Sequence, residues 1–299
     1  MDRVYLDKIE FYITNVCNLT CNNCNRFNNH NFKGFQRWSD VEPLMEEWAK
    51  YIDFNHGVII GGEPLLNSSI VEWVEGINRI WGHGVQILSN GTRLHKVKDL
   101  YPLLRPKRAI RGRNVLGISW HNAETIDVMF EEIHSFQQGN ITHRTGRDQT
   151  GTGADWEFED ENGVKVGVWM QNEFGFSSIR TGENGKLTLW NHEGDEERVH
   201  AGCGMAQYKC YHFSNGKIFK CAPLDLWPQF DAQLGLDITE ADRELIASYQ
   251  PLTLERARNG ETKQFFEEID SVIPQCKFCP KGWEQSPEII YSTEKGKAL

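Results

Sequence analysis

Three cysteines, Cys17, Cys21 and Cys24, stand at CxxxCxxC spacing within the segment CNLTCNNC. Thiolates are soft ligands that suit iron-sulfur clusters and zinc. Three of them so close together can serve three of a cubane's four irons, leaving one iron open to a small molecule that offers an amine and a carboxylate. A structural zinc site is the alternative, and it needs a fourth ligand nearby; His30 and Asn15 are the only local candidates. The segment GGEP, residues 61 to 64, directly follows Gly57-Val58-Ile59-Ile60, an apolar run that reads as a short buried strand. Paired glycines at the end of a strand let backbone approach a ligand closely. Five more cysteines follow much later: Cys203, Cys210, Cys221, Cys276 and Cys279. The segments KCYHF and KIFKC read as two short strands joined by Ser214-Asn215-Gly216, a turn whose glycine supports positive φ. Cys276-Lys277-Phe278-Cys279 brings two thiols together in one tight turn, as many four-cysteine zinc sites also do. Cys210 is the odd member, and a small buried residue in a strand is its plain role.

Several elements must position these groups. Ile9, Phe11 and Ile13 alternate with polar residues and predict a first strand that delivers the cysteine loop. Ser39 with Glu42 predicts a capping box, and Leu44, Trp48 and Ile52 a helix over about 40–52. Ile70, Val71, Val74, Ile77 and Ile80 recur at helical spacing before the strand Val85 to Leu88, which ends at Ser89-Asn90-Gly91. A short helix near 97–104, the strand Val115 to Trp120 and a helix carrying Ile126, Met129, Phe130, Ile133 and Phe136 continue the alternation. Such alternation predicts a parallel sheet. Val164 to Met170 is the candidate fifth strand and Lys186 to Trp190 the sixth, with only about 15 residues between them, three of them glycines. A full crossover helix does not fit there, so an abbreviated core is expected. The acidic stretches Asp155 to Glu161 and Glu193 to Glu197 read as solvated loops or strand edges.

The chain has 299 residues, enough for one large domain and a smaller one. No signal-peptide pattern and no spanning apolar run is visible, so a cytoplasmic enzyme without membrane association is expected. Eight cysteines in a reducing compartment favour metal ligation over disulfides. A net charge of -10 argues against sequence-independent binding of nucleic acid, which phosphate neutralisation drives; nucleic acid remains conceivable only as a substrate. The basic run RPKRAIRGR at 105–113 is expected in a solvated loop on the face away from the chemistry.

On CxxxCxxC and GGEP together, the sequence resembles the radical S-adenosylmethionine (radical SAM) superfamily over most of its length. The resemblance implies an α/β fold, a partial and abbreviated parallel (β/α) barrel over 1–195 followed by a twitch-like β-hairpin and helix domain over 196–299. It implies that Cys17, Cys21 and Cys24 hold a 4Fe-4S cluster that reductively cleaves S-adenosylmethionine (SAM) to a 5'-deoxyadenosyl radical. Gly61, Gly62, Glu63 and Pro64 then contact the methionine amino group, and Ser89, Asn90 and Ser119 match places where relatives touch the ribose or carboxylate. The family often has an aromatic residue before the third cysteine; this chain has Asn23, leaving Phe27 or Phe11 for the adenine. Cys203-x12-Gly216-x4-Cys221 fits the SPASM/twitch hairpin, so Cys203, Cys221, Cys276 and Cys279 are expected to close a second 4Fe-4S cluster, with zinc there as the alternative. Cys210 could replace one of those ligands or return a hydrogen atom to a substrate radical. Ligands of parallel barrels gather at the carboxyl ends of strands, which brings in Ser119-Trp120-His121-Asn122 and Gln171-Asn172-Glu173. His121 and Glu173 are the candidate proton-transfer residues. The expected function is abstraction of hydrogen from a peptide, amino acid or other small polar substrate, with the second cluster in electron transfer and a flavodoxin or ferredoxin as reducing partner. No peptide-leader-binding pattern precedes the first strand, which leaves isomerisation or epimerisation of a nucleobase or sugar as the alternative. A non-catalytic zinc- or cluster-binding module is the reading from a different class.

Overall fold

A computed structural model describes residues 3–21, 24–106, 112, 114–121, 125–146, 154–170 and 177–281. The basic run at 105–113 and the stretch Gln171-Asn172-Glu173 fall largely or wholly outside the described residues.

The chain opens with β1 (Val4–Tyr12), the cysteine loop, α1 (Trp38–Trp48), β2 (Ile52–Ile60), α2 (Ile70–Trp81) and β3 (Val85–Ser89). It continues through α3 (Tyr101–Leu104), β4 (Val115–Trp120), α4 (Ile126–Phe136), β5 (Ile141–Gly146), β6 (Trp156–Asp160) and β7 (Lys165–Met170). The small hairpin β8 (Ile179–Thr181) and β9 (Leu187–Leu189) precedes α5 (Glu196–Ala201), α6 (Gly204–Gln207), β10 (Cys210–Ser214) and β11 (Lys217–Phe219). Four helices follow: α7 (Ala222–Leu234), α8 (Glu240–Ala247), α9 (Leu254–Arg258) and α10 (Thr262–Ile269).

Nine strands form one sheet in the order β11-β10-β1-β2-β3-β4-β7-β6-β5. The six from β10 to β7 run parallel, and β11, β6 and β5 add antiparallel flanks. The result is the expected mixed α/β fold with a mostly parallel central sheet. Strand alternation divides its faces. Phe11, Ile59, Ile87, Ile118 and Val168 pack with Trp48, Trp73, Ile77 and Ile133 of the helices. On the other face, Tyr12, Val58 and Ile60 pack with Leu189, Phe219, Trp227 and Phe230.

Three local expectations are corrected. First, α1 begins at Trp38, with Arg37 in extended backbone and no side-chain cap; Glu42 turns outward to pair with Arg79, and Ile52 starts β2 rather than ending the helix. Second, Lys186 to Trp190 is no sixth barrel strand, because β9 pairs only with β8 in a separate hairpin. The sixth parallel strand is β10, joined to β1 through pairs such as Lys8↔Cys210 and Phe11↔Phe213, so the sheet runs across residue 195. Third, the acidic stretch from Asp155 is an internal strand of the sheet, and Asp155 and Asp160 are buried. Each has a structural partner: Asp155 accepts from the Met170 N–H, and Asp160 accepts from the Tyr101 hydroxyl and the Val164 N–H.

Candidate active site

The first three cysteines lie on the loop that leaves β1, and the ends of β2 and β3 hold that loop in place. Gly62 N–H donates to Thr14 O and Glu63 N–H to Val16 O, both at 2.8 Å. A Cβ on Gly61 would sit 2.5 Å from Thr14 O, and one on Gly62 2.4 Å from Val16 O and 2.9 Å from the Cys17 Cβ. Real atoms do not approach so closely, so the glycine pair is needed for a reason the sequence did not disclose. It lets the end of β2 lie directly against the cysteine loop.

Glu63 is the hub of the web. It has no exposed surface, and its carboxylate accepts from the Asn90 N–H at 2.7 Å, the Ser89 hydroxyl at 2.8 Å and the Leu65 N–H at 2.9 Å. Burial pushes its pKa up to about 6 against the pull of those hydrogen bonds. Asn90 carries the web onward. Its side chain donates to Asn18 Oδ1 at 3.1 Å and lies 3.9 Å from Cys17 Sγ, while Asn18 donates to Thr92 at 2.8 Å. Pro64 opens the short 3-10 turn Pro64–Leu66 behind Glu63. Burial pushes the Cys17 thiol up to about 12, with Glu63, Cys24 and Cys21 adding to it and the Leu19 N–H opposing it. Cys21 and Cys24 thus lie close enough to Cys17 to act on its charge.

Ser119 lies near the carboxyl end of β4, half-buried, on the face opposite buried Ile118. His121 follows that strand, also half-buried. Glu173 lies outside the described residues. The two aromatic candidates for adenine are both core residues: Phe11 packs among Phe54, Trp81 and Phe213 on the helix-covered face, and Phe27 is buried edge-on against Phe230.

The second cysteine set comes from three separate places. Cys203 precedes α6, Cys221 caps α7, and Cys276 and Cys279 belong to the 3-10 turn Pro274–Phe278 and its end. The hairpin between them forms as expected, with Asn215 and Gly216 both at positive φ. All four thiols line one cavity with Leu224, Trp227 and Lys220, and Cys210 is not on its wall. Burial, then the neighbouring Cys203, pushes Cys221 up to about 12. Cys279 is driven well above its ordinary value by burial and by Cys221, Cys203 and Cys276. Among the described residues, no group of three or more His, Cys, Asp or Glu side chains is arranged to hold a single metal ion. Donor chemistry is what fits iron-sulfur clusters: one three-thiol loop and one four-thiol cavity, in a chain whose eight cysteines are all free.

A second cavity, of about 500 Å³, adjoins the four-thiol set and reaches Asn25 and Arg26, the residues right after Cys24 in the chain. Lys8 and Arg26 line it on the barrel side, and Cys203, Tyr208, Cys210, Cys221 and Cys279 on the other. Arg26 is only two residues beyond Cys24 in sequence; it is buried and pairs with the Glu10 carboxylate, and its Nε has no hydrogen-bond partner. Cys210, 3% exposed on β10, is held in the neutral thiol form by burial and by Glu10.

The Radical SAM superfamily model matches residues 11–112, the segment that holds the end of β1, the cysteine loop, Gly61 to Pro64 and the Ser89-Asn90 turn. Residues 11–112 thus match a radical SAM domain, the domain of an enzyme superfamily. Within it, a "Probable GTP 3',8-cyclase" of Methanothermobacter thermautotrophicus is 37% identical over 82 residues, 27% of each chain. Another of that name, from Saccharolobus islandicus, is 28% identical over 116 residues, 39% of this chain and 35% of the relative. The match thus spans about a third or less of these curated relatives. A solved structure, BtrN in complex with AdoMet and 2-DOIA, aligns over 97% of this chain and all of its own at 15% identity and a TM-score of 0.46. No helix among the described residues is long and apolar enough to cross a membrane.

Sequence reasoning missed the inward role of Glu63 and the presence of Arg26 and Lys220 at the cavities. The signal for Glu63 was its place right after a glycine pair; for the two cations there was none, because only the packing of distant segments brings them to a wall.

Proposed function

We propose that the protein is a radical SAM enzyme that removes hydrogen from a small polar substrate held in the cavity that reaches from Arg26 to Cys203, Cys221 and Cys279. When bound, a 4Fe-4S cluster on Cys17, Cys21 and Cys24 supplies the 5'-deoxyadenosyl radical by reductive cleavage of SAM. This chain's own residues do the rest. Glu63, Ser89 and Asn90 keep the cysteine loop seated on the strand ends, and the backbone of Gly61 to Pro64, with Ser119, would be the part that contacts bound SAM. Lys8 presents positive charge to the substrate, Arg26 offers the Nε–H left over from its pairing with Glu10, and His121 and Glu173 are the candidates to move its proton.

The observation that carries this reading is the 500 Å³ cavity that reaches from Arg26, beside the first cysteine loop, to Cys203, Cys221 and Cys279. That volume suits an amino acid, a sugar or a nucleotide rather than a folded partner. The same reading gives Cys203, Cys221, Cys276 and Cys279 an auxiliary cluster with an electron-transfer role, and the reaction a net oxidation. One observation favours a second reading: Cys210 lines the cavity as a neutral thiol, the form that returns a hydrogen atom in a redox-neutral epimerisation or isomerisation. Lys8 and Arg26, with relatives named for a GTP cyclase, direct that reading to a nucleotide or phosphorylated sugar.

Anaerobic reconstitution, iron and sulfide counting and assay of 5'-deoxyadenosine release test the proposal. About eight irons per chain are expected, together with SAM cleavage under reduction; a redox-silent zinc protein would overturn it. With a substrate in hand, a product lighter by two hydrogens (about 2 mass units, the mark of net oxidation) supports oxidation. An unchanged mass in ordinary water, with deuterium taken up when the solvent is D2O, supports Cys210.

A further inference from the structure

Lys220 stands out among the buried groups. It is 8% exposed, at the end of the β10–β11 hairpin, next to Cys221 in sequence. Its Nζ donates to Ser271 O at 2.9 Å and to Ile269 O. Among the described residues no carboxylate comes within ion-pairing distance of it. Asp270, between those two carbonyls in sequence, is engaged elsewhere, by the Tyr211 hydroxyl and by Lys209 at 2.7 Å. A buried ammonium that only carbonyl dipoles solvate is costly. Side chains that offset such a charge are normally in contact with it, and the wall that Lys220 shares is the one built by Cys203, Cys221, Cys276 and Cys279.

We infer that Lys220 is the counter-charge of the group those four cysteines hold, and that it sets the reduction potential of an auxiliary 4Fe-4S cluster there. The inference rests on the cluster reading of the second cysteine set. Four thiolates leave such a cluster net negative, and adding an electron makes it more so. A cation fixed on the cavity wall stabilises the reduced form more than the oxidised form and so raises the potential. Net charge and hydrogen bonding around the sulfurs are among the levers that spread iron-sulfur potentials widely. Lys220 is a positioning residue in this account; it touches neither substrate nor SAM. The competing role is a clamp that merely ties the end of β11 to the turn after α10, and so to the cysteine turn that follows.

The test uses the full chain with Cys17, Cys21 and Cys24 replaced by alanine, which isolates the second set, reconstituted and titrated electrochemically with EPR detection. Lys220→Gln keeps donors for Ile269 O and Ser271 O but removes the charge; Lys220→Arg keeps both. The expected result is that Lys220→Gln retains its iron and titrates at a more negative midpoint than the parent, while Lys220→Arg stays near the parent. A Lys220→Gln midpoint equal to the parent's would overturn the inference in favour of the clamp. So would loss of the iron in Lys220→Gln, since a missing charge alone leaves the ligands in place. A parent that binds no redox-active iron would instead refute the cluster reading itself, and the two failures are told apart in the same titration.

Discussion

The two thiol sites are built by opposite strategies. Cys17, Cys21 and Cys24 come from eight consecutive residues after one strand, and backbone hydrogen bonds from Gly62 and Glu63 seat that loop on its neighbours. Cys203, Cys221, Cys276 and Cys279 span more than seventy residues, and only the packing of α5, α7 and the Pro274–Phe278 turn makes them one wall. A local site needs its loop held still, whereas a dispersed site needs its surrounding module folded. The first should therefore fail through the backbone contacts of its loop, and the second through its core.

The largest effect should come from replacing Cys17, Cys21 and Cys24 together with alanine. About four of eight irons should remain, and 5'-deoxyadenosine release should vanish; near-complete iron retention would show that the loop holds no cluster. Next is Gly62→Ala, whose Cβ would meet Val16 O at 2.4 Å. The loop must then move, so the variant should lose SAM cleavage and iron from the first set while the second keeps its share; equal loss from both sets would erase the contrast.

Glu63→Ala is a smaller perturbation. It leaves the Asn90 and Leu65 N–H groups and the Ser89 hydroxyl without their acceptor, at a cost of about 1–3 kcal/mol for a buried unsatisfied group, read as a lowered melting temperature. Glu63 also predicts a pH dependence. Its folded pKa of about 6 lies above the ordinary 4.5, so the folded state binds the proton more tightly, and stability should fall as pH rises through that window, by roughly 2 kcal/mol, and then level off. Glu63→Gln should remove that slope; a wild type that gains stability over the same window would show that the hydrogen bonds to the carboxylate outweigh its burial. The smallest effect belongs to Cys210→Ala, which should keep both sets of iron because Cys210 is not on the four-thiol wall. Loss of about half the iron would make Cys210 a ligand in place of one of the four.

Much was legible without coordinates because it is local. Strand alternation at Ile9, Phe11 and Ile13, the helical spacing from Ile70 to Ile80 and the Asn215-Gly216 turn each follow from backbone geometry over a few residues. The Ser39 and Glu42 pattern failed because capping is also local but has rivals: the Trp38 N–H bonds to Ser69 Oγ and Glu42 to Arg79, both from elsewhere in the chain. Lys186 to Trp190 was misplaced for a similar reason, since a short apolar strand carries no mark of which partner it will pair with.

By itself the sequence determined the thiol chemistry, the spacing of the first cysteine set and the alternation that makes a parallel sheet, because all three are properties of neighbouring residues. Tertiary structure alone decided that β10 lies beside β1, that Glu63 turns inward to three donors, and that Arg26 and Cys210 share one cavity with Cys203, Cys221 and Cys279. These depend on contacts between segments far apart in the chain, for which loop closure and burial, not local pattern, set the outcome.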